Sequence, residues 1–533
     1  MKRLRISGSD PHGKVPSAPS ERLSNAVTFD YLCPDSAQRI PSDDSAIVIT
    51  ALDAMGAAMV DETTYETDHG DANFPPIYTY WGQFIDHDIT SSGDRSPVGD
   101  GFDVRPDDFT PISPKHVSQQ LANLRARALH LDGVYGGGPT GNPSLYCPGD
   151  TNYHCCNIRP GAFLTGMNDA TAGTTAPSNK SDLCQDLPRA PDGSGQAVIG
   201  DGRNDDNLII AQFHLAIMRF HNAALDRLGD FEKARDATRL HYQWLVVNDY
   251  LKTIADPQIV DAVLHAGLSR YKFAGGFMPV EFSAAAFRFG HATIRSSYDF
   301  NENFGRGGRL GNTASFDQLF EFSGRSRNAD GKPLGGHKRL PESWIADWSR
   351  LADRGQRFDD GQPERRSRKI DTHLAEPLSR LNTDGPDATS DKTRAMMSHL
   401  AQRDLRRGYL LSVPTGQAMA ALAELSPLSA SQLLDGTENG LRPALQDALL
   451  RNNELLLTHT PLWFYVLKEA EILGGGNHLG PVGSHIVVET IVGALRSNDD
   501  SFICRDWSPH DSAIPGGREI RSIDAFLQFA GVA

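Results

Sequence analysis

"NLIIAQFHLAIMRFHNAALDRL", residues 207–228, decides the class of this fold. Its apolar residues Ile209, Phe213, Ala216, Ile217, Phe220, Ala224 and Leu228 recur at helical intervals, the stripe of a helix with one face in a core. The same period runs through 234–254, where Ala237, Leu240, Trp244, Val247, Leu251 and Ile254 line up. It returns in 391–411, 415–425, 443–452, 461–472 and 482–496, while strand-like alternation is scarce. Segments 97–115, 136–200, 301–340 and 352–368 are rich in Gly, Pro, Asp and Ser and read as long loops. The expectation is a mainly α fold with long loops and little β-structure. Residues 1–26 read as a flexible tail and 27–533 as one domain, with no internal repeat.

The chain has 533 residues, 39% hydrophobic and 22% charged, the composition of a soluble globular protein. Against 52 Lys and Arg stand 67 Asp and Glu, a net charge of −15, which argues against nucleic acid or an anionic membrane as a general partner. No apolar run approaches a membrane span; "LWFYVL" (462–467) stops within two turns. The N-terminus "MKRLRISGSDPHGK" has charge without an apolar core, so it reads as no signal peptide. A cytoplasmic location, or secretion by a route without a signal peptide, is therefore expected. Of six cysteines, Cys147, Cys155, Cys156 and Cys184 gather near His154, with Cys33 and Cys504 apart. Their spacing is wrong for a zinc half-site, and with no signal peptide disulfides are not the default, so an inert or structural role is expected.

Four segments place polar groups where a helical core needs a reason for them. In "YWGQFIDHDIT" (80–90) a helix puts Gln83 and His87 on one face, with Asp86 and Asp88 flanking the imidazole. Buried carboxylates need partners, so the stretch reads as the wall of a polar cavity; a helix end with an incidental His is the plain alternative. In "GDGRNDDN" (200–207) Arg203 precedes Asp205 and Asp206 at a helix start, where acids are also ordinary capping. In "FRFGHATIRSSY" (287–298) Arg288, His291 and Arg295 share a helical face, and Gly290 admits close approach to the backbone. That suits an axial ligand with anionic groups nearby, or a satisfied core histidine. In "HLAQRDLRRGYLLSVPTGQAMA" (399–420) Asp404 and Arg407 lie three apart before a glycine.

Together these segments resemble the animal-type haem peroxidases of the peroxidase–cyclooxygenase superfamily. "WGQFIDHDIT" is similar to the family's distal helix, "GDGRNDDN" to its distal arginine segment, "FRFGH" to its proximal histidine segment and "RDLRRGYLLSVPTGQ" to the stretch supporting that histidine. "KIDTHLAEPL" and "TPLWFYVLKEAEIL" add a bacterial-type flavour, and the resemblance runs in family order over residues 27–500. It implies a single helical haem-peroxidase domain that binds haem b, reduces hydrogen peroxide and oxidises a small organic donor, with halides as a further donor. His87 is implied as the distal base, Gln83 as its neighbour and Arg203 as the distal guanidinium. His291 is the implied iron ligand, Asp404 its hydrogen-bond partner, and Arg288 and Arg407 the propionate partners. Asp86 and Asp206 match the carboxylates esterified to the haem. Arg295 matches no role, and salt bridging is expected of it. The chemistry needs these types: an imidazole moves the peroxide proton between oxygens, a guanidinium stabilises charge on the leaving oxygen, and the proximal hydrogen bond tunes the ligand.

Several positions depart from the family pattern. Asp404 stands where Asn is usual, and the stronger acceptor implies a lower iron(III)/iron(II) potential. Asp206 stands for a longer Glu, so the ester through Asp86 is the firmer expectation. Asn207 removes the sulfonium link. Of the calcium ligands only Asp88 and Asp132 remain, since Ala126 and His130 replace a hydroxyl and a carboxylate, and calcium binding is correspondingly weakened. A fatty-acid dioxygenase of the same superfamily is the first alternative, but Arg288 occupies the place of its radical-forming tyrosine. A haem-binding protein without turnover is the second.

Overall fold

The computed structural model describes residues 27–34, 38–41, 43–61, 70–94, 103–105, 107–148, 159–169, 184–324, 333–354, 363–381, 391–435 and 442–533. The expected tail (1–26), His154, Cys155 and Cys156 lie outside these residues. Helices dominate. The ones that position the site are α1 (Ser45–Ala58), α2 (Ile77–Ile89), α3 (Leu208–Leu228), α4 (Phe231–Leu245), α5 (Leu400–Leu410), α6 (Leu462–Leu473) and α7 (Pro481–Arg496). Their starts follow local chemistry. Asp44, Asn207 and Asp230 cap α1, α3 and α4 by accepting from Ile47, Ile210 and Lys233 backbone N–H groups. Gly229 ends α3 at φ 68°, a conformation that favours glycine.

α3 differs from the one-faced stripe expected of it. It is buried on nearly all sides, enclosed by α2, α4 and the C-terminal helix Ile523–Phe529. Its polar residues survive there because each has a partner: Gln212 Nε2 donates to the Gln185 carbonyl at 2.7 Å, and His221 Nδ1 lies 3.0 Å from the Tyr135 hydroxyl. Contrary to the sequence expectation, α3 is long and apolar enough to cross a membrane by length and composition, but 89% of that stretch is buried inside the protein. It is a core helix by position.

The β-structure is slight. A small sheet has the order β2 (Ser92–Asp94), β3 (Leu121–Asn123), β1 (Val27–Asp30), β4 (Met278–Pro279). β1 runs parallel to β4, with Phe29 opposite Met278. The Glu281 carboxylate then accepts from the Leu32 and Cys33 backbone N–H groups, both at 3.0 Å. These contacts fasten the chain just ahead of the segment that carries His291. One contiguous cluster of buried apolar residues extends from Phe29 to Val532. The cysteine expectation needs one correction: Cys184 is disulfide-bonded, to a partner outside the described residues, while Cys33, Cys147 and Cys504 are free thiols.

Candidate active site

α2 reaches the site because nothing blocks it at Gly82. A Cβ there would lie 2.4 Å from the Tyr250 hydroxyl, on the π-helical turn Val246–Leu251 that continues α4. Along α2 only Gly82, Gln83 and Asp86 are half-buried; every other residue is buried. That strip is the part of α2 left accessible, and His87, the next residue after Asp86, is buried.

His87 Nδ1 is 2.8 Å from Asn204 Oδ1, and Asn204 Nδ2 is 3.0 Å from His214 Nδ1. With the amide assigned in that orientation its oxygen can only accept, so His87 carries its hydrogen on Nδ1. When the ring is neutral its lone pair is then on Nε2. Burial, opposed by Asp201, brings His214 down to about 4 and keeps it a neutral acceptor for the amide. Arg203 is buried and held from two sides. Its Nε and Nη2 grip Asp201 (3.1 and 2.7 Å), and Nη2 also donates to the His87 carbonyl at 2.8 Å. Arg125 bonds the same carboxylate. Burial opposes the charge on Asp201, but Arg203 and Arg125 outweigh it and hold the carboxyl well below the usual range. Two guanidiniums against one carboxylate leave a net positive charge beside His87. Gln83 Oε1 accepts from Asn207 Nδ2 at 3.0 Å.

On the other side, Ala286–His291 is a 3₁₀ segment rather than an α-helix. Three residues per turn eclipse positions 288 and 291, and both side chains meet Asp404 of α5. His291 Nδ1 is 2.6 Å from Asp404 Oδ2, and Arg288 Nη1 donates to Oδ1 at 2.8 Å. Burial disfavours the Asp404 charge, but His291 and Arg288 reverse that and hold its pKa far below the ordinary value. Arg288 thus has a partner the sequence reading did not assign. Arg295 falls outside the 3₁₀ segment and pairs with Asp71 at 2.6 Å, the salt bridge expected of it, so the supposed shared helical face with His291 does not exist. Trp463 of α6 donates from Nε1 to the Arg288 carbonyl at 3.2 Å and sets its ring edge-on to His291, centroids 6.3 Å apart.

The two halves adjoin. α2 packs on both the 3₁₀ turn Gly202–Asp205 and the segment Ala286–His291. Thr79 Oγ1 is 2.7 Å from Thr293 Oγ1, and His87 lies two helical turns further along α2, about 12 Å along its axis. That offset suits a flat macrocycle with one imidazole on each side. The half-buried residues agree: Gln83, Asp86, Asp206, Arg288, Gly290, His291, Arg407 and Gly408 break otherwise buried surroundings. A Cβ on Gly202, Gly290 or Gly408 would meet no atom within 4 Å. The donor set and the open space both fit haem.

The acidic pair beyond His87 is less complete. Asp88 Oδ2 accepts from Leu131 N–H at 3.2 Å, while its buried Oδ1 has no partner. Burial, with Asp132 adding to it, pushes Asp88 up to about 8. His130 is bound to Asn498 Nδ2 at 2.8 Å. Among the described residues no three His, Cys, Asp or Glu side chains converge on a metal position. Two carboxylates alone are a poor cage for calcium.

Sequence reasoning assigned no role to Asp201, Asn204 and His214, and read Asn207 only as the loss of a sulfonium link. All sit within or just after the arginine segment, and alternation of polar side chains around Arg203 was the available signal. Residues 159–327, which contain Arg203 and His291, match the family model for animal haem peroxidase. The fold is similar to Peroxidase A from Dictyostelium discoideum (14% identity, TM-score 0.53, 100% of this chain and 98% of that one). It is also similar to a variant of the Oryza sativa fatty acid alpha-dioxygenase with palmitic acid (13%, 0.52, 99% and 86%). The Arabidopsis thaliana fatty acid alpha-dioxygenase matches comparably (14%, 0.51, 99% and 83%). No curated protein matches the chain in sequence.

Proposed function

We propose that the chain is a member of the peroxidase–cyclooxygenase superfamily and, within it, a haem-dependent peroxidase that reduces hydrogen peroxide and oxidises small phenolic or aromatic donors; the match of residues 159–327 to the animal haem peroxidase model supports this. The observation that carries this reading is the 2.8 Å contact between His87 Nδ1 and Asn204 Oδ1. It makes Nε2 the basic nitrogen. His291 would hold haem, with Arg407 and Arg288 as the cations for its carboxylates, and the bound group would supply the electrons for O–O cleavage. His87 Nε2 takes the proton from one peroxide oxygen and returns it to the other, so the departing group leaves as water. The net positive charge of Arg203, Arg125 and Asp201 stabilises negative charge on that oxygen without moving. Asp404 orients His291 and strengthens it as a donor.

Asp86 and Asp206 are both half-buried. We assign one ester to Asp86, and a second, weaker candidate to the shorter reach of Asp206. Calcium is not required by this reading. The alternative is fatty-acid dioxygenation, the activity for which two of the similar proteins are named; Arg288 speaks against it, because a guanidinium forms no phenoxyl radical.

The test is phenol oxidation by the haem-loaded protein with peroxide, set against oxygen uptake with linoleate. The proposal expects the first and not the second. Asn204→Leu removes the acceptor from His87 Nδ1 and is expected to slow the reaction with peroxide by roughly 100-fold while haem still binds. An unchanged rate would dismiss the role given to the amide.

A further inference from the structure

A cavity of about 540 Å³ is lined in part by Arg125, the second partner of Asp201. Its wall includes Arg125, Arg127, His130, Asp132 and Asn498. Arg127 is half-buried, and its Nη1 is buried with no hydrogen-bond partner. Burial alone pulls its pKa down, with no carboxylate opposing. Arg125 is more than nine-tenths buried; it spends one nitrogen on Asp201, and its Nε also has no partner.

A guanidinium taken from water without a partner is costly, and an oxyanion is the group that removes the cost, because the planar fork matches two oxygens at once. The other side chains do not supply one. Asp132 is the one acid among the five wall residues named, and it already stands against Asp88 and His130. His130 is held neutral by burial and by Arg239, with Asp132 and Asp500 opposing, and its ring is engaged by Asn498. In a chain of net charge −15, an unneutralised guanidinium lining a cavity is a local exception that marks a place for an anion.

We propose that this cavity is a binding site for a small oxyanion, a carboxylate or a phosphate, held by Arg127 with Arg125 beside it. The volume is in the range of sites for small metabolites rather than for a lone ion. The site is distinct from the haem gap but wired to it, since Arg125 shares Asp201 with Arg203, and Arg203 donates to the His87 carbonyl. It does not depend on the peroxidase reading.

Calorimetric titration of the full chain, haem-free, with sodium phosphate and separately with sodium benzoate tests it, in a buffer of fixed ionic strength. The expected result is saturable binding of one anion per chain by at least one probe, and the stronger probe reports the class. Arg127→Gln is expected to weaken it by about tenfold or more, and Arg127→Lys by less. Melting curves give the second readout. Because Arg127 Nη1 has no hydrogen-bond partner among the described residues, Arg127→Gln should melt no lower than wild type, and the anion should raise the melting temperature of wild type only. Binding by neither probe in either readout, or equal binding by Arg127→Gln, would overturn the proposal.

Discussion

Asp404 serves two donors at once, with His291 on one oxygen and Arg288 on the other. A charged acceptor holds the imidazole hydrogen more strongly than an amide would, and this favours the iron(III) state of a bound haem. Asp404→Asn is therefore expected to raise the iron(III)/iron(II) potential, by about 60 mV for each tenfold change in the redox equilibrium. Spectroelectrochemistry on both proteins reads it directly; an unmoved or lower potential in the variant removes the argument. At this scale the sequence was partly legible. His87, Arg203, His291 and Asp404 are rare types in apolar surroundings, so their spacing drew attention. Asn204 and His214 did not stand out, because an amide and one more helical histidine carry no signal until the fold brings them to His87.

Elements decide where those side chains arrive. α2 was legible as a helix from the i, i+4 spacing of Gln83 and His87 within an otherwise apolar stretch. Its approach to the π-helical turn was not, since that depends on Gly82 meeting Tyr250 from a segment far along the chain. Gly82→Ala should push α2 off Tyr250 and cost roughly 1–3 kcal/mol, the usual range for overpacking. Urea unfolding of the haem-free protein measures it, and a loss of stability near zero would show that the contact yields freely. The proximal segment teaches the same lesson. A helical period suggested one face for Arg288, His291 and Arg295, but the 3₁₀ turn keeps only the first two together. The choice between 3.6 and 3.0 residues per turn rests on tertiary contacts, here β4, Glu281 and Trp463, which the local pattern does not record.

Taken whole, the molecule buries many carboxyls. Burial is the first cause in each case: Asp88 and Glu469 are pushed up to about 8, and Asp249, Glu281 and Asp371 to about 7. A raised carboxyl contributes stability that is complete below its unfolded value, about 4, and is lost as pH climbs through 7 and 8. Asp201 and Asp404 are depressed and act in reverse, their contribution being lost as pH falls below about 4. The melting temperature of the haem-free protein should therefore peak in weak acid and fall between pH 5 and 8.5. A flat or rising profile over that window would show that these carboxyls do not govern it. The mainly α architecture was legible from periodicity alone, whereas the burial of α3 on nearly all sides was not, because a stripe reveals one packed face and is silent about neighbours on the others.

Haem titration followed in the Soret band, on the wild-type chain and on His291→Ala, tests the central claim most directly. The account predicts one haem per wild-type chain, a band that shifts with one equivalent of peroxide, and a different spectrum with weaker binding in the variant. Identical spectra and affinity in the two proteins, or no stoichiometric uptake by the wild type, would contradict it.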